Sequence, residues 1–308
     1  GATEADAAWA GLLAAKQRIF QEEQRRRNEQ NLAANALSTR VQAWIDAIQQ
    51  LTDAAAREQA LREVEQALRA GDADSQLVAC RALTACGQIE FDKSPFRPLL
   101  LPLAANARGA LRVAALYALR STVSLPEDSA LALALADDPS NEARLSGPHL
   151  LSMFCERQLA GEADAVLVRM FTGTDYGQRR QMLSGLWGTY LGSGIESYLL
   201  ELSRSTNRND QYAAMYYALS TLPSKSEAVV RRLIEFLPSI DSNVYGRALW
   251  GLSYGIEPAQ GPLVLQAARD LFDARSDVGI QTSCLDLIGQ HAGPELEPWL
   301  ASLAADTR

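Results

Sequence analysis

The chain has 308 residues, 47% of them hydrophobic, and a formal charge of −8 with a sequence pI near 5.0. That apolar share excludes a disordered chain and suffices for one elongated or two compact domains. Three lysines (Lys16, Lys93, Lys225) against 26 arginines, on an acidic background, argue against a polyanion as the general partner, because nucleic-acid affinity rests on cations that neutralise phosphates.

The abundance of alanine and scarcity of lysine suggest a GC-rich, bacterial coding sequence. No run of 18 apolar residues is present, so no membrane span is expected. From the opening Gly-Ala in place of Met, a processed or excised chain is expected. The four cysteines (Cys80, Cys86, Cys155, Cys284) lack Cys-x-x-Cys spacing. They are expected to be buried free thiols, which leans the compartment toward the cytoplasm.

Residues 1–53 stand apart and are expected to form an N-terminal helical cap or stalk. An amphipathic helix is predicted from residue 3 to about 27, with Trp9, Leu13 and Phe20 near one face. The run "QRRRNEQ" at 24–30 reads as a solvated face. A second apolar face follows: Leu37, Val41, Trp44, Ile45 and Ile48. Ala47-Ile48 lies 35 residues before Ala82-Leu83, as in a degenerate first repeat. A coiled-coil or membrane-proximal handle is the alternative.

From residue 54 to 308, proline, glycine and Asp/Asn/Ser clusters cut the chain into helix-length pieces without strand-like alternation. The pieces repeat. "QLVACRALTAC", "LRVAALYALRST", "ARLSGPHLLSMF", "RRQMLSGLWGTY", "QYAAMYYALSTL", "VYGRALWGLSYG" and "GIQTSCLDLIGQ" each hold a leucine after a usually small residue. The leucines are Leu83, Leu119, Leu151, Leu186, Leu219, Leu252 and Leu287, at intervals of 36, 32, 35, 33, 33 and 35. The residue three before the small position is small or flexible in each copy: Ala79, Ala115, Gly147, Met182, Met215, Ala248 and Ser283. Positions three apart share a helix face, so helices can approach closely there. Polar caps such as "DDPSNE", "GTDYG" and "IDSN" introduce these helices, and a partner helix, often opened by proline, precedes each.

One stretch, "NVYGRALWGLSYGIEP" at 243–258, carries Gly246, Gly251 and Gly255, although each helical glycine costs about 1 kcal/mol relative to alanine. Gly251 occupies the small packing position. Gly246 and Gly255 are expected to extend that close contact.

With these proline-led and Asp/Asn-capped helix pairs, the chain resembles the HEAT-like repeat family over residues 54–308. The Trp…Leu-Gly…Tyr order of tetratricopeptide repeats is missing. The resemblance implies an all-α, right-handed superhelical α-solenoid of about seven two-helix repeats, whose copies supply each other's missing core. It also implies a concave surface lined by the second helices, and a non-enzymatic scaffold that binds a protein or peptide there.

Ten of the fourteen Trp and Tyr residues fall between 176 and 254, mostly on second helices and in register: Tyr117, Tyr217 and Trp250 are equivalent, as are Tyr212 and Tyr245. Amphipathic rings supply contact area at low entropic cost. The expected contact residues are Trp187, Tyr212, Tyr216, Tyr245, Trp250 and Tyr254, with Arg179 and Arg247 as anion clamps. Core filling for the rings, and bonds to cap aspartates such as Asp210 or Asp241 for the arginines, are the competing structural readings.

No catalytic residues, metal or cofactor are predicted. His149 and His291 lie on different repeats without metal-ligand spacing. "GTYLGSG" at 188 reads as an interhelical turn rather than a phosphate loop. Two alternatives come from relatives of the fold: a DNA glycosylase or other nucleic-acid binder, which the charge disfavours, and a lyase-like protein holding a small molecule or pigment.

Overall fold

The computed structural model describes residues 2–49, 53–87, 91–122, 125–239, 241–291 and 296–299, with positions 89, 293 and 301; in the first helix side chains are described from residue 16. The chain divides into two compact units, residues 1–123 and 124–308.

In the first unit, α1 (Ala2–Gln49) is one continuous helix, where the apolar pattern suggested a break. No proline or glycine lies between Leu12 and Gln49, so nothing interrupts the ladder. Its described N-terminal side chains are exposed, Ile19 and Phe20 included, while Ile48 is fully buried. The C-terminal stretch packs on α2 (Ala54–Ala70) and α3 (Ala73–Ala85). The Trp9, Leu12 and Leu13 side chains lie outside the described set. Beyond them, α2 touches α4 (Arg97–Asn106) and α3 touches α5 (Gly109–Arg120).

The second unit, taken by itself, also pairs its helices in two rows. First helices are α6 (Ser129–Leu133), α8 (Glu162–Phe171), α10 (Ser193–Ser203), α12 (Glu227–Glu235) and α14 (Gly261–Ala274), each touching the next. Second helices are α7 (Asn141–Phe154), α9 (Tyr176–Ser184), α11 (Arg208–Ala213), α13 (Ser242–Leu252) and α15 (Val278–His291). They also touch in sequence, α11 through the helical turns that extend it. A minimal parallel pair, β1 (Gln158–Leu159) with β2 (Tyr190–Leu191), joins two turns; the periodicity gave no sign of it. The fold is an all-α solenoid of paired helices.

The register explains the packing. Leu83, Leu119, Leu151, Leu186, Leu219, Leu252 and Leu287 are all buried, as are Ala79, Ala115, Gly147, Met182, Met215 and Ala248 at the position four before each of the first six. Only the last copy departs, with Ser283 and Asp286 exposed. Caps fall where polar residues precede the second helices: Ser140 accepts from the Ala143 amide, Asp175 from Gln178, Asp241 from Asn243. A longer-range cap holds α10, whose Gly194 and Ile195 amides both donate to Asp164 at 2.8 Å from α8. All four cysteines are free thiols; Cys80, Cys86 and Cys284 are buried and Cys155 is partly so.

The three glycines of 243–258 turn out to differ. A Cβ on Gly251 would lie 2.8 Å from Ser220 Cβ and 2.9 Å from Ser220 Cα, so α13 does touch its neighbour there. Gly255 follows the helix at φ +66°, with its would-be Cβ 2.7 Å from the Pro223 carbonyl oxygen. Gly246, however, faces open space within 4 Å, which corrects the expectation that it extends the contact. Gly246→Ala is therefore expected to stabilise the protein by about 0.5–1 kcal/mol, seen as a raised urea midpoint.

Candidate binding surface

The aromatic residues of the second helices meet in the 124–308 unit, and backbone features present them. Gly188 (φ +65°) reverses the chain after α9 toward β2, while Glu156 and Arg157 adopt φ of 50° and 60° before β1. Arg157 Nη1 donates to the Trp187 carbonyl, and the Ser152 and Thr189 hydroxyls share a buried 2.7 Å bond beneath. Trp187 is thus fixed through its main chain while its side chain stays out, leaving the residue 48% exposed.

Opposite, α11 widens into a π-helical turn at Ala214–Ala218 and tightens into a 3₁₀ turn at Leu219–Thr221. Such irregular turns leave carbonyls for side chains to take, and they recur at functional positions. Arg247 of α13 donates Nε–H to the Tyr216 carbonyl and to Ser220 Oγ, both at 3.0 Å. Tyr254 donates its hydroxyl to the Ser220 carbonyl at 2.7 Å.

Anchored this way, the Arg247 guanidinium lies 3.9 Å from the Trp250 ring centroid, 4.5 Å from Tyr216 and 4.7 Å from Trp187. Trp187 and Trp250 are 5.5 Å apart at 39°, and Trp250 meets Tyr254 at 4.7 Å. Tyr212 stacks on Tyr216 at 5.0 Å, Tyr217 meets Tyr216 edge-on at 4.9 Å, and Arg180 sits 5.7 Å from the Tyr217 centroid. Trp250 is 38% exposed; Tyr212, Tyr216 and Tyr217 are half-buried. Burial pushes the Tyr212 phenol above its ordinary pKa, helped by Tyr216 and Tyr217, and pulls Arg247 below its own. Clefts flank the cluster: one of about 420 Å³ includes Tyr176, Arg180 and Tyr217, and one of about 390 Å³ includes Tyr245, Gly246 and Trp250.

Of the eight residues expected from sequence, Trp187, Tyr212, Tyr216, Trp250, Tyr254 and Arg247 come together. Tyr245 shares a cleft with Trp250, and its own ring lies 5.9 Å from the Arg275 guanidinium. Arg179 is a correction. Its guanidinium pairs with Asp210 at 2.7 Å, with only 16% and 10% of the two side chains exposed, and also donates to the Thr174 carbonyl. It closes a junction between repeats, the competing reading, because the Asp210 carboxylate neutralises it where an incoming anion would have to bind. Arg157 was missed, because it depends on a turn that no motif marks, whereas Arg180 follows from helix register one turn after Tyr176.

Lys225 was also missed as a site feature. It is 1% exposed, donates to the Leu222 and Tyr254 carbonyls at 2.7 and 2.9 Å, and lies 4.1 Å from the Tyr254 ring centroid. Burial pulls its pKa down to about 7. Between that value and the ordinary lysine range the unfolded chain holds a proton that the folded one has released, so stability rises with pH there. Wild type should gain up to about 1.4 kcal/mol per pH unit through this window relative to Lys225→Met, measured as urea midpoints on the alkaline side of neutrality.

Among the described residues no group of three or more His, Cys, Asp or Glu is placed to hold a metal ion, and no helix is long and apolar enough to cross a membrane. No protein-family model matches the chain, and no curated protein matches it either. Among solved structures, an engineered protein aligns at TM-score 0.35 and 15% identity, over 82% of this chain and 96% of its own. The archaeal HEAT-like repeats protein from Thermococcus onnurineus NA1 aligns at TM-score 0.34 and 14% identity, over 83% and 92%. The solenoid assignment comes from this chain's own helix rows and leucine register.

Proposed function

We propose that the 124–308 unit is a non-enzymatic scaffold that binds a protein or peptide across the rings of its second helices. The observation that carries this is the Trp187–Trp250 pair, 48% and 38% exposed yet held 5.5 Å apart around a hydrogen-bonded arginine. Adjacent exposed tryptophans over a fixed support are poor core and good anchors. Trp, Tyr and Arg dominate binding energy at interfaces, and pre-ordering them lowers the entropy lost on association. Tyr254 and Arg247 serve the same surface from below. The free thiols fit a reducing compartment such as the cytoplasm.

The test is affinity capture from lysate of the source cells with wild type, Trp187→Ala and Trp250→Ala, helicity being checked by circular dichroism. We expect a specific partner whose recovery falls at least tenfold in either variant, since anchor truncations cost about 2 kcal/mol or more. Equal recovery from folded variants would reject the surface.

A further inference from the structure

We infer that the segment bound on this surface is acidic, its carboxylates meeting Arg157, Arg180 and Arg247; this rests on the binding reading above. The first observation is the company these three arginines keep. Arg157, Arg180 and Arg247 have no Asp or Glu partner among the described residues, and each touches a residue of the ring cluster: the Trp187 carbonyl, the Tyr217 ring, and three rings at once. On a chain of net charge −8, these cations are uncompensated at the very place where the exposed tryptophans lie.

The second observation concerns Arg247. Rings cover its guanidinium and Nε is hydrogen-bonded, but Nη1 and Nη2 have no partner among the described residues, and Nη2 is enclosed. Because Nη2 is enclosed and Nε engaged, a carboxylate reaches this guanidinium at Nη1 through one charge-assisted hydrogen bond. An apolar or basic segment laid over Trp187 and Trp250 would desolvate this charge and leave it unpaired, which opposes binding. An acidic side chain removes that penalty. The strip has an end: Asp277 and Asp286 line the cleft on the α15 side of Trp250, and Asp277 caps the Ile280 amide. The acidic residues of the bound segment therefore belong on the Arg157–Arg180 side, with its neutral part toward α15.

The experiment is selection of a random displayed peptide library on the intact chain, followed by fluorescence titration of a selected peptide. Expected are binders enriched in Asp and Glu that lose binding with Trp187→Ala. Arg180→Gln, at an exposed position, should weaken them about fivefold, and affinity should fall as salt is raised. Arg247→Lys, which keeps the charge but loses both Nη1 and the Nε–H bonds to Tyr216 and Ser220, should also weaken them. Trp187-dependent binders without acidic enrichment, or unaltered by Arg157→Gln and Arg180→Gln, would overturn the acidic assignment while leaving the surface in place. Displacement by a single-stranded oligonucleotide at equal charge would assign the cluster to phosphates and overturn it too. Absence of any Trp187-dependent binder would reject both readings.

Discussion

Asp210→Ala is expected to destabilise the 124–308 unit by about 3 kcal/mol, among the largest effects of any single substitution on a charged side chain. Asp210 Oδ1 accepts from Arg179 Nε at 3.1 Å and from Nη2 at 2.7 Å. Both side chains are nearly buried, so solvent does little to screen the pair. Removing the carboxylate leaves a guanidinium in a site it cannot leave, since Nη1 is also engaged by the Thr174 carbonyl. The cost comes mainly from the stranded charge. The double variant Arg179→Met/Asp210→Leu should accordingly recover most of the loss. Urea unfolding followed by circular dichroism measures all three, and added salt should alter the Asp210→Ala penalty little.

Gly251→Val is expected to cost a further class of energy, about 2–3 kcal/mol, by forcing helices apart. The new Cβ would meet Ser220 at Cβ and Cα, 2.8 and 2.9 Å away. Ser220 cannot retreat cheaply: its carbonyl accepts from Tyr254, its hydroxyl from Arg247. Moving α13 outward therefore breaks the two bonds that aim the ring cluster. The same substitution should redden Trp187 and Trp250 emission and abolish partner capture before the unit unfolds. Gly255→Ala acts differently, placing a side chain at φ +66° against the Pro223 carbonyl. With the stabilising Gly246→Ala, one short segment should yield glycine effects of opposite sign.

The repeat was legible because packing between neighbours demands it. A small residue, then a leucine, must recur wherever one second helix rests on the next, and the seven leucines do sit buried in that register. The small position picked out Gly251, but periodicity alone did not show that Gly246, five residues earlier, faces open space. The cage around Arg247 was legible in composition and not in geometry. It depends on a π-helical turn at Ala214–Ala218, and side-chain periodicity does not distinguish that turn from an ordinary helical one over five residues. Longer-range pairings were hidden for a related reason. Asp164 capping α10 and Arg157 holding Trp187 each span about thirty residues, and nothing local requires either. Lys225 carried no signal at all, because composition cannot show that two carbonyls and a ring would enclose it.

Hydroxyl-radical footprinting of the intact chain, free and saturated with its captured partner, would show whether the Trp187–Trp250 surface is where the partner sits. Trp187 and Trp250 are expected to be the most readily oxidised rings of the 124–308 unit when free, and both to become protected in the complex, while Phe171, already buried in the free chain, does not change. Oxidation of Trp187 and Trp250 that is unaffected by a bound partner would contradict that placement.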